Sequence, residues 1–138
     1  MIRPATVSDI PQIMALGKEF ADEAGVTARV GWDDAHVEAL LQNMIESDEG
    51  ILLVSEDGMI GGAVYPHPFS GRRVFVEMFW RARDGNGLAL LKAAEDAARE
   101  RGASQSIMVA MDDMDRTRRL YKALGYAPIE AQFMKDLG

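Results

Sequence analysis

The sequence predicts a mixed α/β domain. Three observations carry that reading: amphipathic helical stripes in the first third, a hairpin of apolar strands in the middle, and a glycine turn joining an apolar strand to a long helix. Helical and extended periodicities therefore alternate along one short chain.

Ile2-Arg3 opens as a short strand. Thr6-x-x-Asp9 then forms a capping box, and Pro11 falls in the first helical turn, where its missing N–H costs nothing. Ile10, Ile13, Met14, Phe20 and Ala21 share one side of a helix that runs to about Glu23. The stretch Ala24–Trp32 reads as a loop or frayed turn. Asp33 or Asp34 caps a second helix, whose Val37, Leu40, Leu41, Met44 and Ile45 form an apolar stripe.

Ile51–Ser55 and Met59–Tyr65 are expected strands, joined by the hairpin signal Glu56-Asp57-Gly58. A third strand over Arg72–Trp80 leads into Asp84-Gly85-Asn86-Gly87-Leu88-Ala89 and a helix from near Asn86 to Arg101-Gly102. Ser106–Met111 is expected as another strand and Asp115–Leu124 as a helix closed by Gly125. Ile129–Met134 completes the set as a last strand. With no internal repeat and no low-complexity linker, the 138 residues read as one domain over 1–138, able to bury roughly two thirds of the unfolded surface.

Composition narrows the function. No apolar run approaches the ~20 residues of a membrane span, and no basic-then-apolar leader opens the chain, so a cytoplasmic protein is expected. Cys is absent, which removes disulfides, a thiol nucleophile and cysteine metal sites. His36 and His67 are the only imidazoles, a poor basis for a metal centre, and no metal is expected. Residues 1–70 hold three basic against twelve acidic side chains, a net of −9; residues 71–138 hold twelve against ten, and the halves make the overall −7. An acidic chain without a basic stripe is a poor nucleic-acid binder.

The glycine turn is the feature with chemistry in it. Two glycines at a strand-to-helix junction leave backbone N–H groups bare at the positive end of a helix dipole, which seats a phosphate-bearing ligand. The next helix carries Leu120-Tyr121-Lys122-Ala123-Leu124-Gly125-Tyr126. Together the two segments resemble the GNAT superfamily of acetyl-CoA-dependent N-acyltransferases. Gly87 and Ala89 fit the last two fixed places of its Arg/Gln-x-x-Gly-x-Gly/Ala pyrophosphate motif, with Asp84 in the Arg/Gln place. Leu120, Tyr121, Gly125 and Tyr126 meet its L-Y-x-x-x-G-[FY] motif in full, and Ile2–Ile10 looks like its usual entry, so the likeness spans residues 2 to about 136.

The resemblance implies a mostly antiparallel twisted sheet with helices on both faces and a V-shaped opening between the fourth and fifth strands. It implies acetyl-CoA as co-substrate and a homodimer as the default assembly. Backbone N–H groups of Phe79, Trp80 and Arg81 would hold the acetyl carbonyl. The pyrophosphate would lie on the amides from Gly85 to Ala89, through Asn86, Gly87 and Leu88, with the Asn86 side chain capping the helix or adding a donor. The Asp84 charge would weaken that seat unless it points away, and Arg81 or Arg83 lies close enough to compensate.

Tyr121 is the expected general acid, because a phenol of pKa near ~10 is protonated at neutral pH and can donate to the departing sulfur. Thr117, Leu120, Tyr121 and Leu124 also make a helical stripe that would simply pack on the sheet. Glu77 is the candidate base, the one acidic residue in the apolar run Val74–Trp80, where burial would raise its pKa. Strict alternation puts Glu77 with Phe75 and Phe79 on one face, opposite Val74, Val76, Met78 and Trp80.

Asp112-Asp113-Met114-Asp115 reads as an acidic loop capping the following helix rather than as a metal site. The EF-hand spacing from Asp84 is rejected, since Ala89 stands where that loop needs glycine. The expected activity is acetyl transfer from acetyl-CoA to a small-molecule or peptide amine by direct attack in a ternary complex. An acidic first half would steer a cationic acceptor, or merely solvate helix faces. The alternative is a catalytically inactive module that binds acyl-CoA or regulates, and a phosphate-binding domain unrelated to acyl transfer is the third reading.

Overall fold

The computed structural model describes residues 1–110 and 115–138, so Asp112, Asp113 and Met114 of the acidic loop lie outside the described residues. Five strands form one sheet in chain order: β1 (Arg3–Pro4), β2 (Gly50–Ser55), β3 (Gly58–Pro66), β4 (Arg73–Ala82) and β5 (Gln105–Ile107). Every neighbouring pair is antiparallel except β4–β5, which is parallel. A parallel pair needs a crossover, and α4 (Gly87–Glu100) supplies it. The remaining helices are α1 (Ile10–Glu23), the single turn α2 (Val26–Arg29), α3 (Asp34–Glu46) and α5 (Asp115–Ala123).

Each face of the sheet is covered. Ile10, Ile13 and Leu16 of α1 and Leu41 and Met44 of α3 pack on Leu52, Val54 and Met59. Leu90, Leu91, Ala94 and Ala98 of α4 pack on Ile51, Leu53, Ile60, Val64 and Phe75. Successive β2 residues thus enter opposite cores, and the whole strand is buried, as its unbroken apolar run requires. Each fully buried Leu, Ile or Phe contributes roughly 1.5–3 kcal/mol to holding these layers together.

Local signals match the helix starts. The Thr6 amide donates to Asp9 Oδ2 at 2.8 Å, closing the expected capping box on a 3-10 turn that leads into α1. Asp33 Oδ1 accepts from the His36 amide at 2.8 Å and caps α3. Among the described residues, no helix is long and apolar enough to cross a membrane.

Three expectations need correction. No strand forms over Ile129–Met134: the chain beyond Tyr126 is irregular, with Ile129, Phe133 and Met134 exposed. An alternating sequence makes a strand only where an edge accepts it, and this segment pairs with none among the described residues. The strand expected over Ser106–Met111 ends at Ile107. Strict alternation also fails in β4. Phe79 pairs with Gly61 and Glu77 pairs with Gly62, so Met78 is an extra residue opposite no partner, a β-bulge. Beyond it the faces exchange: Phe79 packs on the α1/α3 side, whereas Phe75 and Trp80 pack on the α4 side.

Gly61 and Gly62 explain how the strands tolerate this. A Cβ at Gly61 would strike the Phe79 ring, and one at Gly62 would strike the Val76 carbonyl oxygen. Bare backbone at both positions lets β4 approach β3 across the irregular register.

Candidate active site

β5 pairs with β4 only through Val74–Val76, and β4 continues to Ala82 without it. The outer edge of β4 from Glu77 onward therefore faces an opening between these two strands. Because hydrogen-bonding directions alternate along a strand, part of the Phe79-Trp80-Arg81 backbone is directed at that open edge.

Glu77 and Tyr121 converge where the strands part. Glu77 is buried, and its Oε1 accepts a long hydrogen bond, 3.4 Å, from the Val109 amide. The Tyr121 hydroxyl donates to the Val109 carbonyl oxygen at 2.8 Å. Burial disfavours the Glu77 carboxylate and pushes its pKa up to about 7, against the opposing pull of the Val109 amide and the Tyr121 hydroxyl. Burial, and then the neighbouring Glu77 charge, hold the Tyr121 phenol above its ordinary value. At neutral pH the pair thus offers a partly ionised carboxylate beside a fully protonated phenol.

Two rings steady that phenol. Trp80 stacks on Tyr121 with centroids 6.1 Å apart and planes 19° apart. Tyr126 leans on it at 5.7 Å and 46°. The Tyr126 hydroxyl donates to Glu95 Oε2 at 2.7 Å and lies 2.9 Å from Ser106 Oγ, and its burial pushes the phenol pKa up to about 12. Trp80 reaches Tyr121 because the Met78 bulge turns Trp80 onto the face that carries Phe75.

The glycine turn lies at the far end of β4. Gly85 takes a positive φ of 78°, a conformation that favours glycine. Asp84 accepts from the Ser55 hydroxyl at 2.6 Å and the Asp57 amide at 2.8 Å through Oδ2, and from the Asn86 amide at 2.9 Å through Oδ1. These donors hold its carboxyl well below the usual carboxylate range, the Ser55 hydroxyl most strongly. Asp84 is thus turned inward onto the β2–β3 connection. Its bond to Asn86 also corrects the expected seat, because the Asn86 amide is already spoken for and its side chain does not cap α4.

The amides of Gly87, Leu88 and Ala89 remain as the free donors of the first helical turn, with no partner among the described residues. A Cβ at Gly87 would make ordinary contact with Ala82 and the Trp80 indole at 3.8–3.9 Å, so the turn packs against β4 without a clash. Free donors at the positive end of a helix dipole are the features that suit a phosphate group.

Arg81 and Arg83 do not serve the turn. Arg81 pairs with Glu19, and with Glu23 at 3.0 Å; Arg83 pairs with Glu19 at 2.7 Å and Asp57 at 3.0 Å. Their guanidinium groups tie β4 to α1 and to the β2–β3 connection. Sequence reasoning missed Ser55, Glu95, Ser106 and Val109, which act through contacts between distant segments and carry no local signal. Trp32 and His67 are engaged locally: the indole donates to Asp34 at 2.7 Å, and His67 Nδ1 accepts from the Phe69 amide at 3.2 Å.

Comparison with known proteins agrees with this fold. Residues 17–126 match the acetyltransferase (GNAT) family. Among solved structures, a mutant of the BH1408 protein from Bacillus halodurans has a TM-score of 0.77 at 17% identity, covering 99% of each chain. A ribosomal-protein-alanine N-acetyltransferase from Brucella melitensis biovar Abortus 2308 has a TM-score of 0.72 at 18% identity, covering 99% of this chain and 98% of its own. AAC(6')-Iy, in complex with the bisubstrate analog CoA-S-monomethyl-acetylneamine, has a TM-score of 0.76 at 12% identity, covering 99% and 96%. No curated protein sequence matches. The chain belongs to the GNAT acetyltransferase family.

Proposed function

From this family membership we propose that the protein, one domain over residues 1–138, is an N-acetyltransferase that joins the acetyl group of acetyl-CoA to a primary amine by direct attack in a ternary complex. The observation that carries the reading is the convergence of the Glu77 carboxylate and the Tyr121 phenol on Val109, at the mouth of the β4–β5 opening. When bound, acetyl-CoA supplies an activated thioester.

The free amides of Gly87, Leu88 and Ala89 hold its pyrophosphate, and the open-edge backbone of Phe79, Trp80 and Arg81 stabilises charge growing on the acetyl oxygen. Glu77 takes the proton from the attacking amine, directly or through water. The nitrogen lone pair forms the new C–N bond as the C–S bond breaks, and Tyr121 gives its proton to the leaving thiolate. The absence of Cys is consistent with direct attack rather than an acyl-enzyme. Acidic residues prevail in the first half, which favours a cationic small-molecule or peptide amine. The reading includes a cytoplasmic setting and a homodimer.

A second reading, an acyl-CoA-binding module without catalysis, draws on the Asn86 amide, which Asp84 withdraws from the phosphate seat. Titration calorimetry with acetyl-CoA, followed by thiol release over a panel of amines, decides between them. Micromolar binding, about −8 kcal/mol, with amine-dependent thiol release is expected. Binding without turnover on any amine would favour the module, and no binding at millimolar ligand would end both readings.

A further inference from the structure

One side chain touches both halves of this site. Trp80 Nε1 donates to the Gly87 carbonyl oxygen at 3.0 Å, while its ring stacks on Tyr121. The Gly87 carbonyl and the Leu88 N–H belong to the same planar peptide unit. A bond to that oxygen therefore sets the direction of the Leu88 N–H, one of the three free donors of the turn. It also polarises the unit and strengthens the N–H as a donor.

We propose that Trp80 is a positioning residue that holds the Gly87–Leu88 peptide plane and the Tyr121 ring in one arrangement, so that loading of the glycine turn and placement of the phenol are set together. The proposal rests on the acetyltransferase reading for the role of Tyr121, but its binding half stands without it. The Met78 bulge gives it a structural basis. In an unbulged strand Trp80 would share a face with Val74, Val76 and Met78, away from Tyr121. Bulges re-aim side chains, and here the extra residue brings the indole onto the side of the sheet where α4 begins.

Trp80→Phe keeps an aromatic ring beside Tyr121 and removes the N–H together with part of the indole's bulk. By calorimetry it raises the Kd for coenzyme A about threefold to tenfold, the range one net hydrogen bond spans. In steady-state assays it also lowers kcat, and that loss vanishes in a Tyr121→Phe background, because both changes act on the same phenol. In Trp32→Phe protein, where Trp80 is the sole indole, saturating coenzyme A shifts the emission. Unchanged Kd with unchanged emission overturns the proposal, and so do kcat losses that add fully across the double variant. If Tyr121→Phe leaves kcat intact, the acid assignment falls, and the Kd and emission results still decide the role of Trp80. Should Trp80→Phe fail to fold, the Trp32→Phe emission titration decides alone.

Discussion

Glu77 and Tyr121 meet at a single residue, with the carboxylate on the Val109 amide and the phenol on the Val109 carbonyl. Residues 77 and 121 come from β4 and α5, and neither element brings them together by itself. The β4–β5 divergence creates the space, and the two side chains occupy it.

Removing the phenolic proton tests its role. Tyr121→Phe keeps the stacking on Trp80 and the packing on the sheet, and should lower kcat by about 10²-fold or more, the usual worth of a positioned acid. KM for acetyl-CoA should change little. Thiol release at saturating amine measures it, and an unchanged kcat removes Tyr121 from the chemistry.

The raised pKa of Glu77 has two consequences with pH. As a base it must be ionised, so kcat/KM should rise with pH and level off above about 7, and Glu77→Gln should lose that limb. Stability moves the other way. The folded pKa lies above the unfolded one, so between pH 4.5 and about 7 the folded state holds the extra proton. Stability from this group is full below that window and lost across it as pH rises, by roughly 3 kcal/mol. Urea unfolding should therefore find Glu77→Gln more stable than wild type at pH 8 and equal to it at pH 4.

Asp84→Arg restores the residue usual in the family motif, yet it should lower the thermal midpoint. The substitution strips three donors of their acceptor, those of Ser55, Asp57 and Asn86, and Ser55 is buried. Scanning calorimetry compares it with Asp84→Asn, which retains an acceptor oxygen and should lose less. Equal midpoints for wild type and Asp84→Arg would mean that this inward network does not hold the turn.

Gly62→Ala tests the bulge. Its new methyl meets the Val76 carbonyl oxygen and the Phe75 ring, so a loss of about 1–3 kcal/mol is expected in urea unfolding. Coenzyme A binding should weaken with it, because the register of β4 sets where Trp80 points. A stable variant with undiminished binding would show that β4 adapts without its bulge.

Sequence and structure divide the information along physical lines. The helical stripes and the Asp33 cap are local, as are the Glu56-Asp57-Gly58 hairpin and the strand–glycine–helix junction, so each is legible in a window of a few residues. Glu77 stood out as a lone carboxylate in an apolar run, but whether it was buried or faced solvent was decided only by the packing around it. The end of β5 at Ile107 was not, since Met108 and Val109 continue the apolar pattern past the point of pairing. Nor was the fate of Ile129–Met134, whose alternation needed an accepting edge.

By itself the sequence determined the order of elements as far as the last helix, the family resemblance and the candidates for acid–base work, because periodicity and motif spacing are properties of neighbours along the chain. Tertiary structure alone decided how those residues are used. The Met78 bulge swung Trp80 onto the face it shares with Tyr121, and Ser55 drew Asp84 inward from the turn. Both outcomes depend on register and on contacts between segments far apart in sequence, which a one-dimensional pattern does not record.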